Sequence, residues 1–259
     1  YSNTTGATNV AIGSAALYSN TVGSSNSALG HQALTSNTTG ANNTAIGYQA
    51  AYYNTTGVAN TALGGGDGST YHSTLSFNTT GSYNIAMGTG ALSKNTTASN
   101  NTAVGYQAGY TGATAAYVTA VGSLALKVST ASSNDAFGYQ ALYSNTSGNL
   151  NAAFGENALY TNTTGANNVA MGWAALNKNS TGGSNTAMGV SALTNNTTAS
   201  NNTAVGYQAL YSATANSGNT AIGYQAGYTH SGSAGSYDNL FVGRTAGYSL
   251  TTGYGNTFV

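Results

Sequence analysis

The sequence predicts an all-β chain, a parallel β-solenoid (β-roll) of about fifteen coils. Three observations carry this. A glycine-marked motif recurs at Gly13, Gly30, Gly47, Gly64, Gly88, Gly105, Gly122, Gly138, Gly155, Gly172, Gly189, Gly206, Gly223 and Gly243, mostly 17 residues apart. Fixed columns of Asn, Ala and large apolar residues accompany each glycine. There is no proline in 259 residues, which suits backbone that must donate hydrogen bonds along most of its length. A short period held throughout means a solenoid.

Each part of the repeat has a physical role. Clear copies read Asn-Thr-Ala-Ile-Gly-Tyr-Gln-Ala-Leu-Tyr-Ser-Asn-Thr-Thr-Gly-Ala-Asn. A 17-residue coil is shorter than a strand-plus-helix repeat, whose unit is roughly 20 residues or more. It suits two short strands and two turns. Asn-Thr-Ala-Ile is one expected strand and Tyr-Gln-Ala-Leu-Tyr the other. Asn-Thr-Thr-Gly-Ala is the turn, where Gly and Asn supply unusual backbone angles. Coils stacked about 4.8 Å apart would make a rod on the order of 70 Å long. Residues 1–259 read as one repeat domain, which begins and ends inside a repeat and so is expected to be part of a longer fibre.

Four places before the glycine stand Asn9, Asn26, Asn43, Asn60, Asn84, Asn101, Asn134, Asn151, Asn168, Asn185, Asn202, Asn219, Asn239 and Asn256, with Val118 the exception. Stacked asparagines can hydrogen-bond amide to amide, so this column is expected to be a structural ladder. Two places before the glycine the residue is Ala, giving way to Phe241 and Phe258. One place before it every residue is apolar, from Ile12 to Val259. Neighbours on a strand point to opposite faces. One column therefore fills the interior, and the other forms an apolar stripe that asks for a partner. The alternative is a bend at the glycine that turns both inward.

Resemblance to a known family enters here. Asn-Thr-Ala-Ile-Gly-Tyr-Gln-Ala-Leu resembles the head repeats of trimeric autotransporter adhesins and stalk segments of phage tail fibres. The resemblance implies a left-handed β-roll wound as a homotrimer. The adhesin repeat is nearer fourteen residues than the seventeen seen in this chain.

Composition narrows the function. Only 4 Lys+Arg and 4 Asp+Glu are present, with zero net charge, against roughly 25% charged residues in ordinary soluble domains. No basic footprint for nucleic acid exists. Cysteine is absent, which removes disulfides and thiolate metal sites. No apolar run is long enough to insert in a membrane. Asp67, Asp135, Glu156 and Asp238 lie scattered, as do His31, His72 and His230. Paired carboxylates or clustered ligands, which catalysis or a metal would need, are not set up, so neither an enzyme nor a cofactor is expected.

Candidate surface features remain. Insertions place Tyr71, His72 and Phe77 in one loop and His230 and Tyr237 in another, both possible recognition sites. Tyrosines five places after the glycine (Tyr18, Tyr52, Tyr110, Tyr143, Tyr160, Tyr211, Tyr228 and Tyr248) suit sugar stacking or stacking between coils. Sequons occur at Asn3, Asn37, Asn42, Asn54, Asn78, Asn95, Asn100, Asn145, Asn162, Asn179, Asn195, Asn196 and Asn201. In exposed turns these are glycosylation candidates. The expected function is a non-enzymatic component of an extracellular fibre or stalk, at a cell or virion surface. Its expected partners are copies of itself, as homotrimer or end-to-end filament, and glycans or a cell surface. A ligand- or ice-binding face and a phage tail-fibre shaft are the other readings. A Thr column (Thr44, Thr61, Thr102, Thr119, Thr186, Thr203, Thr220) motivates the ice reading, though Val10, Ile85 and Asp135 break it.

Overall fold

A computed structural model describes residues 2–66, 68, 73–231 and 237–259. Two compact units divide the chain, Tyr1–Ser133 and Asn134–Val259. Both are parallel β-solenoids built from the same coil, and no helix occurs among the described residues.

In the first unit, β1 (Val10–Ile12), β2 (Ser27–Leu29), β3 (Thr44–Ile46), β4 (Thr61–Leu63), β5 (Ile85–Met87), β6 (Thr102–Val104) and β7 (Thr119–Val121) pair in chain order, all parallel. The second unit does the same with β8 (Asp135–Phe137), β9 (Ala152–Phe154), β10 (Val169–Met171), β11 (Thr186–Met188), β12 (Thr203–Val205), β13 (Thr220–Ile222), β14 (Leu240–Val242) and β15 (Thr257–Phe258). Register follows the repeat, as in Thr44↔Thr61, Ala45↔Ala62 and Ile46↔Leu63.

Each coil has one strand, not the two expected. The Tyr-Gln-Ala-Leu-Tyr stretch is a run of turns, because alternate residues there are left-handed. Gln49 has φ 54° and Ala51 φ 50°, and a strand cannot hold such angles. These turns still bond from coil to coil, as in Leu34 N–H to Ala50 O at 3.0 Å and Gln49 N–H to His31 O at 3.0 Å. Leucine holds the left-handed position in many coils, with φ from 48° to 52° at Leu92, Leu34, Leu159 and Leu142. That conformation costs roughly 1–2 kcal/mol. Full burial of the leucine side chain returns roughly 1.5–3 kcal/mol, and these side chains are at most 2% exposed. Packing therefore wins by a small margin.

The marker glycine has a stricter requirement. Gly172 lies at φ +132°, and a Cβ there would sit 2.6 Å from the carbonyl oxygen of Gly189. Coil-to-coil contact leaves no room for a side chain.

The interior is narrow. It holds the two Ala columns, the leucines and two ladders of asparagine. One ladder is the column before the strand: Asn26, Asn43, Asn60, Asn84 and Asn101 in the first unit are at most 1% exposed. Asn43 donates from its backbone N–H to Asn26 Oδ1 at 3.0 Å and from Nδ2 at 3.1 Å. The other ladder stands seven places after the glycine, or fourteen for Asn78, whose coil carries the seven-residue insertion after Gly64. It comprises Asn20, Asn37, Asn54, Asn78 and Asn95 in the first unit and Asn145, Asn162, Asn179 and Asn196 in the second. Asn54 Nδ2 donates to Asn37 Oδ1 at 2.8 Å, and Asn179 Nδ2 to Asn162 Oδ1 at 2.7 Å.

Where both ladders are present, they meet at one carbonyl in the coil. Gly40 O accepts from Asn26 Nδ2 at 2.8 Å and from Asn37 Nδ2 at 2.9 Å. Gly182 O accepts from Asn168 and Asn179, each at 2.9 Å.

The second ladder stops where the sequence breaks it. Gly112 follows Asn95 and Ala213 follows Asn196 in the column, and the buried Oδ1 atoms of Asn95 and Asn196 have no hydrogen-bond partner. At the C-terminal end the packing changes instead. Phe241 replaces the interior Ala and is fully buried. It fits because Gly227 and Gly247 stand where other coils carry leucine; a Cβ on Gly247 would overlap the Phe241 ring.

Two tests follow from this packing. In Gly112→Asn, an added Cβ makes only ordinary contacts, the nearest at 3.5 Å. The new amide would supply Asn95 Oδ1 with a donor and is expected to stabilise the chain by about 1 kcal/mol. Asn54→Ala, which orphans buried partners, is expected to cost about 1–3 kcal/mol; urea denaturation reads both, and equal midpoints for all three proteins would contradict the ladder energetics. Phe241→Ala is expected to cost about 3–5 kcal/mol. Adding Gly247→Leu should recover part of that loss in Phe241→Ala yet destabilise the wild type, so additive effects in the double-mutant cycle would contradict the exchange.

Candidate functional site: the outer columns

Surface chemistry is set by which way each column points. The strand residue two before the glycine faces inward: Ala45, Ala62, Ala103, Ala170 and Ala187 are 0% exposed. The residue one before it faces outward. Ile12 is 59% exposed, Leu29 46%, Met171 40% and Ile222 43%. Bending both inward is therefore not what the glycine does. The column just after the glycine is also outward and aromatic in many coils, with Tyr48, Tyr106, Tyr139, Trp173, Tyr207 and Tyr224 exposed. In each unit the strand face thus carries a Thr-rich edge, a central line of Ile, Leu, Met, Val and Phe, and an aromatic edge.

Aromatic rings in neighbouring coils stack. Phe137 lies 4.8 Å from Phe154, and Tyr207 5.3 Å from Tyr224, whose ring the Arg244 guanidinium also covers at 5.5 Å. His31 lies flat against Tyr48 at 5.5 Å. The tyrosines five after the glycine stack as Tyr143–Tyr160 at 5.3 Å, Tyr211–Tyr228 at 5.2 Å and Tyr228–Tyr248 at 5.1 Å. Both faces of Tyr228 are thus covered by protein, leaving none for a sugar ring.

Several expected site residues lie elsewhere than the sequence suggested. Eight sequon asparagines, Asn37, Asn54, Asn78, Asn95, Asn145, Asn162, Asn179 and Asn196, belong to the second ladder and are 0% exposed. Their Nδ2 atoms are hydrogen-bonded inside the coil, as Asn162 Nδ2 is to Gly165 O at 2.9 Å. A glycan has no room there in the folded chain. Asn3, Asn42, Asn100 and Asn201 are exposed and Asn195 is half-buried. His230 is not on a surface loop. It takes a ladder position, fully buried, with Nε2 3.3 Å from Asn239 Nδ2 and its ring 5.6 Å from Phe241. Tyr237 is 49% exposed and Phe77 half-buried. Tyr71, His72 and Asp67 lie outside the described residues.

Asp135, Glu156 and Asp238 are exposed. No group of three or more His, Cys, Asp or Glu side chains that could hold a metal occurs among the described residues. No helix among them is long and apolar enough to cross a membrane.

The Tyr228 phenol is held above its ordinary range, first by burial and then by the neighbouring phenols of Tyr211, Tyr248 and Tyr207. Its folded-state pKa is raised, so the stability it contributes is complete below the ordinary value of 10.0. That contribution is lost as pH rises through the folded value. Ultraviolet titration of tyrosinate should show a late-ionising phenol that Tyr228→Phe removes; superimposable curves for the two proteins would contradict the assignment.

Comparisons with protein-family models, with curated proteins and with solved structures give no match, which leaves the geometry of the outer columns as the guide to function.

Proposed function

We propose that this chain is a non-enzymatic structural segment of a fibre or stalk at a cell or virion surface, which associates laterally with copies of itself. The observation that carries the reading is the outward apolar line on the strand face. In the second unit alone it presents Phe137, Phe154, Met171, Met188, Val205, Ile222 and Val242, one per coil, each half-buried or exposed. Side chains of this size gain roughly 1.5–3 kcal/mol each on full burial. Covering what remains exposed on seven of them, on both partners, is comparable with the roughly 4–15 kcal/mol cost of association. With only 4 cationic and 4 acidic residues per chain, repulsion between copies is weak.

A homotrimeric stalk satisfies this face, in keeping with the adhesin-like and tail-fibre-like repeat; coil-on-coil stacking into a filament uses the same strand pairing end to end. Glycans on Asn42, Asn100 and Asn201, which share one exposed column, would leave the strand face clear. A lattice-matching ice face is less well supported, since Val10, Ile85, Asp135, Ala152, Val169 and Leu240 interrupt the Thr column.

Sedimentation velocity at micromolar concentration tests the proposal. The wild type is expected to assemble, and the pair Met171→Asp and Met188→Asp, both on exposed positions, to sediment as a monomer with an unchanged circular dichroism spectrum. A monodisperse wild-type monomer would overturn it.

A further inference from the structure

The largest local departure from the repeat lies on another face of the first unit. Six places after the glycine the chain carries Ser or Thr in most coils: Ser19, Ser36, Thr111, Ser144, Thr161, Ser212, Thr229 and Ser249. Val128, Lys178 and Asn195 also depart from it, but only in three successive coils, at Tyr53, Phe77 and Lys94, do two aromatic rings and a cation replace the small residue together. Phe77 takes this position because Tyr53 N–H bonds to Ser76 O at 2.9 Å and Phe77 N–H to Ser93 O at 3.0 Å, the pattern of the regular coils.

The replacement builds a hollow. Tyr53 and Phe77 stack at 5.3 Å. The aromatic run then gives way to Lys94, a slimmer side chain, whose ammonium lies 5.1 Å over the Tyr110 ring. Phe77, Lys94, Thr96 and Ala113 line a shallow, open space of about 360 Å³, room for one ring laid against the surface rather than enclosed. Ala113 contributes by replacing the Thr or Ser that most other coils have there. The walls are nearly all carbon, and the charge at the rim is positive. Residues 1–133 contain two cations, Lys94 and Lys127, and one acid, Asp67, which lies outside the described residues.

The geometry points to a binding site for a ring that carries one carboxylate. The flat apolar side of the ring would pack against Phe77 and the methyl of Ala113. Its carboxylate would meet the Lys94 ammonium, which the Tyr110 ring already holds in place. An aryl carboxylate and a uronic acid residue of a polysaccharide share this chemistry. A neutral ring would lose the charge pairing, and an acyclic anion the stacking. The inference is independent of self-association, since the site is on the first unit and away from the strand face.

Titration by nuclear magnetic resonance with sodium benzoate, sodium glucuronate, benzamide and glucose, each against the full chain, tests it. At least one carboxylate is expected to bind about tenfold more tightly than its neutral counterpart, with shifts centred on Phe77 and Lys94. Binding of glucuronate alone would assign the site to acidic sugars, and of benzoate alone to aryl acids. Lys94→Gln is expected to abolish the preference for the carboxylate. Phe77→Ser, which restores the residue type of the repeat and so is expected to fold, should weaken binding about tenfold or more. Equal binding of charged and neutral probes, no binding of either carboxylate, or unchanged binding in both variants would overturn the proposal. Using the Met171→Asp, Met188→Asp protein in parallel separates this outcome from the state of assembly.

Discussion

One carbonyl oxygen that accepts two asparagine amides, repeated in most coils, is the interaction on which the rest of the structure depends. A coil of this length encloses too little volume for a conventional apolar core; alanine methyls and one leucine fill most of it. The chain must still close two corners, and backbone groups at corners need partners. Asparagine meets that need with both a donor and an acceptor on a short stem. At Gly40 O, Gly57 O and Gly81 O the two ladders converge, with Asn43 and Asn54 reaching Gly57 O at 2.8 and 3.1 Å. Aspartate could not donate, and stacked carboxylates would repel. Glutamine would be too long. Each bond is worth only about 0.5–1.5 kcal/mol net, but leaving a buried amide unpaired costs about 1–3 kcal/mol, so the columns are held by the penalty for departure.

Departures do occur, and they show how the coil tolerates exchange. Where Gly112 and Gly109 replace ladder Asn and core Leu, a void of about 10 Å³ remains beside Leu92, Leu126 and Val118, about the space of one water. Where Phe241 enters, Gly227 and Gly247 retreat, and His230 fills the neighbouring ladder position. Glycine in the left-handed position removes the strain that leucine bears but also removes its packing. It therefore appears either beside a void or beside a larger neighbour.

Much of this was legible from spacing. The period, the parallel stack, the Ala columns and the ladder before the strand follow from residues that recur at fixed distances. The second strand is not there because a coil of this length leaves room for a second strand but does not require one, and left-handed leucine has no sequence signature. The second ladder was hidden by chemistry rather than by spacing. Asn-Thr-Thr-Gly is both a sequon and a turn, so Asn54 and Asn162 looked exposed. A signal was nonetheless present: Asn20, which is followed by Thr-Val and is no sequon, keeps the same distance from its glycine as they do. His230 could have been placed by the same count, seven residues beyond Gly223.

Interior columns vary only with an orphaned amide, a void or a compensating exchange between neighbouring coils, whereas outer columns face no such constraint. Chemical individuality therefore accumulates outside. Most outer variation is single: one Trp173, one Glu156, one Arg244, each flanked by unlike neighbours. A solitary side chain on a solenoid coil offers a ligand little, because coils are only about 4.8 Å apart and anything larger than a ring touches several. Function on such a scaffold requires correlated change in successive coils. Two places meet that condition with surface left open to a partner. The strand face does so by being apolar in every coil, which suits a partner with the same repeat. Tyr53, Phe77 and Lys94 do so by changing together where the repeat asks for serine or threonine. The first pattern is periodic and fits another solenoid; the second is local and fits a molecule the size of one or two coils.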